Sequence, residues 1–266
     1  MHTKIDLRGQ TALVTGVSSG FGEEFARQLA RFGANLILVA RSEEKLNLLA
    51  DNLREPGKIQ VTVIPTDLSS ADAVERLIAH IDSDDIKVGI LVNNAGIGLF
   101  RTFLETTGDS QMDQIKVNVC ALVKPTCAFA PGMVSRKRNG VINIASVAAF
   151  QPLPGAGGYA ASKSFVLLFS EALSLELEKS GVRVLAACPG PVATNFFAAM
   201  QVQPKTKQMD HPARIVSEIL TAYAENKRDV FPGKVLNWLG TFGVRLLPRR
   251  TMVRLGAGMV KGFTQQ

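Results

Sequence analysis

The sequence predicts an α/β fold: a doubly wound parallel sheet in a three-layer α/β/α arrangement. Short Val/Ile/Leu/Ala runs alternate with longer amphipathic segments, and several of those runs are apolar at consecutive positions. A strand apolar on both faces is buried on both, as happens when helices cover the two sides of a parallel sheet. The length of 266 residues suits one such sheet in a single domain.

In order, the first strand is Thr11–Thr15, and a glycine-rich stretch opens the helix Phe21–Phe32, which Gly33 stops. Strand Leu36–Ala40 leads to helix Glu43–Leu53 with Gly57 as its stop, and strand Val61–Pro65 leads to helix Ser70–Ile81. Strand Gly89–Asn93 precedes the helical pattern Ser110–Ala130. Strand Val141–Ala145 precedes the helix Tyr159–Lys179, which Gly181 separates from strand Val182–Cys188. The stretch Asp229–Gly233 offers a short last strand. In sheets of this kind ligands bind beyond the carboxyl ends of the strands, so chemistry is expected just after each run.

Composition narrows the class. A hydrophobic share of 46% with 20% charge supports a full core. No uninterrupted apolar run approaches the roughly 18 residues of a membrane span, and the amino terminus carries no signal-peptide pattern. Cys120, Cys127 and Cys188 form neither a disulfide framework nor a metal spacing, and an odd count suits a reducing compartment. A cytoplasmic protein is expected, with no metal site at His2, His80 or His211 and no nucleic-acid partner. The net charge of +7 is uneven: residues 230–266 hold six basic side chains (Lys234, Arg245, Arg249, Arg250, Arg254, Lys261) and no acidic one.

After the first strand comes Thr15-Gly16-Val17-Ser18-Ser19-Gly20-Phe21-Gly22. Glycines let the backbone turn sharply and approach a pyrophosphate, while the helix that follows offers unpaired N–H groups. The second strand ends at Ala40-Arg41. An acidic residue there would take ribose hydroxyls; an arginine suits a 2′-phosphate, so NADP(H) is preferred over NAD(H), although Arg41 also reads as a side chain snorkelling at a strand end. Tyr159 and Lys163 lie four apart on one helix face, with Ser146 just after a strand. A neighbouring ammonium is expected to lower the phenol pKa toward the working range. Ser146 would hold a substrate oxygen while Tyr159 passes a proton to it. Alone, a Tyr/Lys pair on a helix is commonly a packing feature; the fixed order with the glycine loop gives it weight.

From about Asp6 to Thr194 the chain resembles the short-chain dehydrogenase/reductase family, whose members have a Rossmann fold. Its T-G-x-x-x-G-x-G loop matches Thr15 to Gly22, its Asn-Asn-Ala-Gly motif matches Asn93 to Gly96, and its Pro-Gly-x-Val-x-Thr segment matches Pro189 to Thr194. The resemblance makes Asn118, Ser146, Tyr159 and Lys163 the catalytic set, with Asn118 holding a water that links Lys163 to solvent. It implies that Gly16, Ser18, Ser19, Gly20, Phe21 and Gly22 cradle the pyrophosphate. Asp67, with Leu68 beside it, would contact adenine, while Asn93, Ala95 and Gly96 line the adenosine ribose. Lys163 would bind the nicotinamide ribose, and Pro189, Gly190, Val192 and Thr194 would grip the nicotinamide. Asn94 reads better as a sheet-stabilising residue and Cys188 as a buried filler.

Residues 1–234 are accordingly expected to form the NADP-binding catalytic domain, with a substrate lid over 195–211 that carries Phe196, Phe197, Met200 and Val202, then Lys205 and Lys207. Residues 235–266 form a basic amphipathic extension of the same domain. Met252, Leu255, Met259 and Phe263 follow helical spacing, and Gly256, Gly258 and Gly262 weaken that helix by about 1 kcal/mol each. The extension either packs over the cleft or a subunit interface, or contacts an anionic membrane surface. The expected activity interconverts a partly apolar ketone or aldehyde and its alcohol; a steroid, a fatty or aromatic ketone and a hydroxyacid ester all fit. The alternatives are a silent NADP-binding sensor or scaffold, or a membrane-surface reductase of lipid-derived carbonyls. The resemblance also implies a homodimer or homotetramer through Ser110–Ala130 and Tyr159–Lys179.

Overall fold

The computed structural model describes residues 5–137, 139–199 and 209–261. Met200, Val202, Lys205, Lys207 and Phe263 lie outside the described residues. Seven parallel strands form one sheet in the order β3-β2-β1-β4-β5-β6-β7. They are β1 Thr11–Thr15, β2 Asn35–Ala40, β3 Val61–Pro65, β4 Val88–Asn93, β5 Asn139–Ile144, β6 Val182–Ala187 and β7 Asp229–Val230.

Strand periodicity divides the core in two. Ala12 and Val14 of β1 face a cluster built on α1 (Gly20–Arg31), α2 (Glu43–Gly57) and α8 (Pro212–Ala224), which supply Phe25, Leu46 and Ile219 among others. Leu13 faces the opposite cluster, where α3 (Ala71–Ser83) and α5 (Ala121–Arg136) bring Leu77, Phe129 and Met133. Such two-sided burial is why the strands read as unbroken apolar runs. The chain winds one way through β1–β3, then crosses to place β4 on the other side of β1. That reversal opens a crevice at the strand ends.

Helix stops follow the glycines only in part. Gly33 and Gly181 take positive φ (85° and 74°) after α1 and α6 (Gly157–Glu178), but α2 runs through Gly57 and ends at Lys58, itself left-handed at φ 47°. The pattern expected as one helix over Ser110–Ala130 is α4 (Gly108–Ile115), a π turn at Lys116–Cys120, then α5. Pro125 has no N–H to return to the Ala121 carbonyl, just beyond the wide turn. The run Gly108–Arg136 does contain an 18-residue window with mean hydropathy 1.3, apolar enough to cross a bilayer by composition. Ala121, Phe129 and Met133 within it pack on the sheet.

After β6 come the short helix α7 (Asn195–Ala199), then α8, β7, α9 (Val235–Leu246) and α10 (Arg249–Lys261). α10 forms despite its glycines. Gly256 sits against the Pro152 carbonyl, where a Cβ would collide, and Met252 and Val260 are buried. Burying two such side chains contributes about 1.5–3 kcal/mol each, more than the roughly 1 kcal/mol each glycine costs.

Gly140 in β5 is the tightest point of the sheet. A Cβ there would strike the Arg183 carbonyl of β6 and come 2.7 Å from the Tyr223 hydroxyl of α8. Gly140→Ala is expected to cost about 2 kcal/mol by overpacking, which lowers Tm by roughly 4–8 °C in a thermal melt. An unchanged Tm would show that Tyr223 has room to move.

Candidate active site

One cavity of about 790 Å³ lies beyond the carboxyl ends of the first six strands. Its two ends differ in chemistry.

At one end β1 turns into α1. Gly16 holds φ 73°, and a Cβ on it would lie 2.8 Å from the Ala95 backbone; one on Gly20 would lie 3.1 Å from the Thr194 side chain. Ser19 caps α1 in position but makes no side-chain capping bond. Ser42, Ser70 and Thr107, by contrast, accept from Lys45 N, Ala73 N and Ser110 N at their own helices. The first turn of α1 thus points uncapped N–H groups and a positive dipole end toward the cavity, as an anion site requires. Arg41 and Lys45 line the same end with Asp67 and Leu68. The Ser69 backbone N–H (3.0 Å) and hydroxyl (2.8 Å) both donate to Asp67, and with Arg41 nearby they hold its carboxyl below the usual range. Two cations and an uncapped helix end fit the phosphates of a nicotinamide dinucleotide. Ser18, Ser19, Gly20, Phe21, Arg41 and Asp67 would hold its adenosine and phosphates.

At the other end Ser146 closes β5 and Tyr159 and Lys163 face it from α6. Ser146 accepts from Ala148 N at 3.1 Å and lies near enough to the Tyr159 phenol to act on its titration. Lys163 Nζ donates to the Ile144 carbonyl at 2.6 Å and sits 5.9 Å from the Tyr159 ring centre. All three side chains are buried. Burial pushes the phenol up to about 12, with Ser146 pulling the other way, and brings the lysine down to about 8. Burial thus acts on the phenol in the direction opposite to that expected of the neighbouring ammonium. Cys188, beside Lys163, is pushed up to about 12 by burial and remains an inert thiol.

Asn93, Gly22 and Asn118 are not among the residues lining the cavity, although a Cβ on cavity-lining Gly96 would lie 3.5 Å from both Asn118 Oδ1 and Lys163 Nζ. Asn93 shares the Leu91 face of β4 and points toward α5; it donates to Thr126 Oγ1 (3.0 Å) and Asn143 Oδ1 (2.8 Å) rather than lining a ribose pocket. Gly22 is buried against the Gly16 carbonyl, so its lack of a side chain lets α1 pack on the loop and does not contact a ligand. Asn118, in the π turn, donates to Ile97 O (2.8 Å) and Ser162 Oγ (2.9 Å) and accepts from Ile97 N (2.8 Å). Its side chain fixes the loop after β4 and the start of α6. Asn94 is the sheet clasp expected of it, donating to the Thr15 and Gly16 carbonyls at 2.8 and 3.2 Å. Ala95, Gly96, Pro189, Gly190, Val192 and Thr194 all line the cavity.

Sequence reading missed Lys45, Phe100 and Asn237. Lys45 lies four residues after Arg41 in the first turn of α2, a spacing that would have exposed it. Asn237 lies against Gly190 from α9 and had no signal. Met259 and Val260 of α10 also reach the cavity, with Phe100, Leu153, Tyr159 and Phe196 forming an apolar cluster around Val260. The extension therefore packs over the cleft.

Comparison with known proteins agrees with this geometry. The short chain dehydrogenase family profile matches residues 10–205. The chain is 35% identical over 189 residues to 17-beta-hydroxysteroid dehydrogenase type 3 of Mus musculus, covering 70% of this chain and 61% of that one. It is thus shorter than two-thirds of that relative in matched length. It is 31% identical over 254 residues to inactive hydroxysteroid dehydrogenase-like protein 1 of Homo sapiens, covering 91% and 77%. Among solved structures, a short-chain dehydrogenase from Sphingobium yanoikuyae in complex with NADPH superposes with a TM-score of 0.82 at 30% identity, covering 89% of this chain and 94% of that one. The profile spans well over half of the chain, and the chain belongs to the short-chain dehydrogenase family.

Proposed function

We propose that the protein is an NADP(H)-dependent oxidoreductase that interconverts a bulky, largely apolar ketone or aldehyde and its alcohol. The observation that carries this reading is the meeting of Ser146, Tyr159 and Lys163 at the apolar end of a cleft whose other end is an uncapped helix terminus flanked by Arg41 and Lys45. When bound, the nicotinamide supplies or accepts the hydride. In reduction, Ser146 holds the substrate oxygen and Tyr159 gives it the phenolic proton as the carbonyl carbon gains the hydride; oxidation reverses both transfers. A phenol raised by burial is fully protonated at neutral pH, which is the form a proton donor needs. Lys163, with a pKa near 8, is poised to relay the replacement proton. Phe100, Leu153, Phe196, Met259 and Val260 shape the substrate end and favour apolar bulk. The name of the mouse relative supports a steroid-like substrate among the options.

A silent NADP-binding sensor is the second reading, prompted by the similarity to a protein named inactive. Against it, the full set Asn118, Ser146, Tyr159 and Lys163 is present here, and a sensor has no use for a buried phenol beside a lysine. We also propose a cytoplasmic location, consistent with three free cysteines. Pairing with a second copy through α4–α6 is part of the proposal, because Met112, Phe165, Leu168 and Leu175 are exposed there with Cys120 and Cys127.

NADPH consumption against ketones of increasing size tests the central reading; tight NADPH binding with no turnover on any of them would favour the sensor. Tyr159→Phe is expected to lower kcat by at least roughly 100-fold with NADPH affinity unchanged, and activity within tenfold of the parent would remove the proton-donor role. Arg41→Ala is expected to weaken NADPH binding by roughly 10–100-fold, the worth of one charged hydrogen bond, while NADH binding stays nearly constant. Equal losses would show that Arg41 does not meet the 2′-phosphate.

Lys163 also shapes stability against pH. Its folded pKa near 8 lies below the unfolded value of about 10.4. Below pH 8 both states are charged and the burial cost is present in full. As pH rises from 8 toward 10, the folded protein has released a proton that the unfolded chain still holds, so stability increases. Cys188 opposes this from about pH 8.5, where the unfolded thiol ionises, and Tyr159 above about pH 10; both remain in Lys163→Met, so the comparison isolates Lys163. Urea unfolding without cofactor should therefore show the parent gaining about 2 kcal/mol on Lys163→Met between pH 7.5 and 9.5. A constant gap between the two proteins would mean that Lys163 keeps an ordinary pKa.

A further inference from the structure

We propose that the consecutive helices α9 and α10 form a docking surface for anionic lipid bilayers. α9 presents Val235, Leu239, Phe242 and Leu246 at i, i+4, i+7 and i+11, a helical stripe, and all four are exposed. Leu236, at 76% exposed, and Leu246, at 83%, are among the most exposed large apolar residues described. Trp238 packs edge-on to Phe242 with ring centres 4.7 Å apart and is itself 40% exposed. An aromatic pair beside exposed leucines is the composition of a helix that lies in a membrane interface. Directly after it, α10 exposes Arg249, Arg250 and Arg254.

Charge selects the occupant. Residues 230–266 carry six basic side chains and no acidic one, whereas the other 229 residues are close to neutral. A second copy seated on this face would bring two such positive surfaces together, and like charges resist that contact. The exposed apolar face of α4–α6 lacks this concentration of positive charge. A bilayer with anionic headgroups matches both properties at once: it takes the apolar stripe into its boundary and pairs the arginines with its surface charge. The docking does not rest on the reductase reading, because α9 and α10 carry it without any step of catalysis.

Trp238 is the only tryptophan in the chain, so its fluorescence reports on this surface alone. Full-length protein is titrated with vesicles of phosphatidylcholine alone or of phosphatidylcholine mixed with phosphatidylserine. The expected result is a blue shift and quenching by brominated acyl chains with the phosphatidylserine vesicles, weakened by added salt. Leu236→Glu with Leu246→Glu should abolish the shift, and Arg249→Gln with Arg250→Gln and Arg254→Gln should weaken vesicle affinity at least tenfold. NADPH binding, read in the same samples, should be unchanged in both variants and confirms that they are folded. No spectral change with phosphatidylserine vesicles overturns the proposal. So does an equal response to phosphatidylcholine alone, or a shift that needs no vesicles and grows with protein concentration, which would make the occupant a second copy.

Discussion

The clasp between Thr15 and Asn94 holds the two halves of the site together. Thr15 Oγ1 accepts from the backbone N–H groups of Asn94 and Ala95, both at 3.0 Å, and donates to the Val92 carbonyl at 3.3 Å. The Asn94 amide returns bonds to the Thr15 and Gly16 carbonyls. These contacts sit at the β1–β4 boundary, where the strand order reverses and the connecting loops must part to leave a crevice. A parting of loops exposes backbone groups that would otherwise pair, and unsatisfied buried groups cost about 1–3 kcal/mol each. The clasp satisfies them and fixes the distance between the glycine loop and the loop that carries Gly96. Gly22, pressed on the Gly16 carbonyl, locks the same loop from the helix side.

Behind the crevice a second polar chain ties the sheet to its catalytic helix. Asn93 reaches Thr126 of α5 and Asn143 of β5, and Asn143 donates to Ser170 of α6 at 2.9 Å. Asn118 joins the loop after β4 to Ser162, the neighbour of Lys163. Most of these buried groups find partners and fix one arrangement, while Asn93 Oδ1 has none among the described residues. Tyr159 and Lys163 inherit that rigidity. Burial of the charged Lys163 opposes stability at neutral pH, and the same burial keeps the phenol protonated. The site is thus held by its neighbours against its own preference for water, a common condition of reactive groups.

Most of the sheet was legible because its signal is collective. Six apolar runs in alternation with helices leave few other folds, and β1 and β3 have the same limits in sequence and structure. The residues of the cavity were legible where a backbone requirement shows as glycine, as at Gly16 and Gly20, or where two side chains share a helix face, as with Tyr159 and Lys163. Direction was not legible. A motif places Asn93 near the site, but only strand alternation reveals that its side chain points toward α5, away from the cavity. Asn237 was invisible for another reason: nothing in the chain links it to Gly190, more than forty residues earlier, until α9 folds back. The sign of the Tyr159 shift was missed because spacing reports a charge partner and says nothing of desolvation.

The carboxyl-terminal helices α9 and α10 bring both kinds of information together. Helical periodicity and charge asymmetry identified the segment as amphipathic, while its glycines argued against a helix; the structure shows that Gly256 is required by its contact with Pro152 and so belongs to the packing. Of the two amphipathic faces, one ends in the cleft through Met259 and Val260, beside Tyr159. The other leaves leucines, Trp238 and arginines outward. A segment that only capped the cleft would need the first face and would gain nothing from the second, since exposed apolar area is unfavourable in water. The outward face is therefore a separate constraint on the sequence, and the same thirty residues carry both.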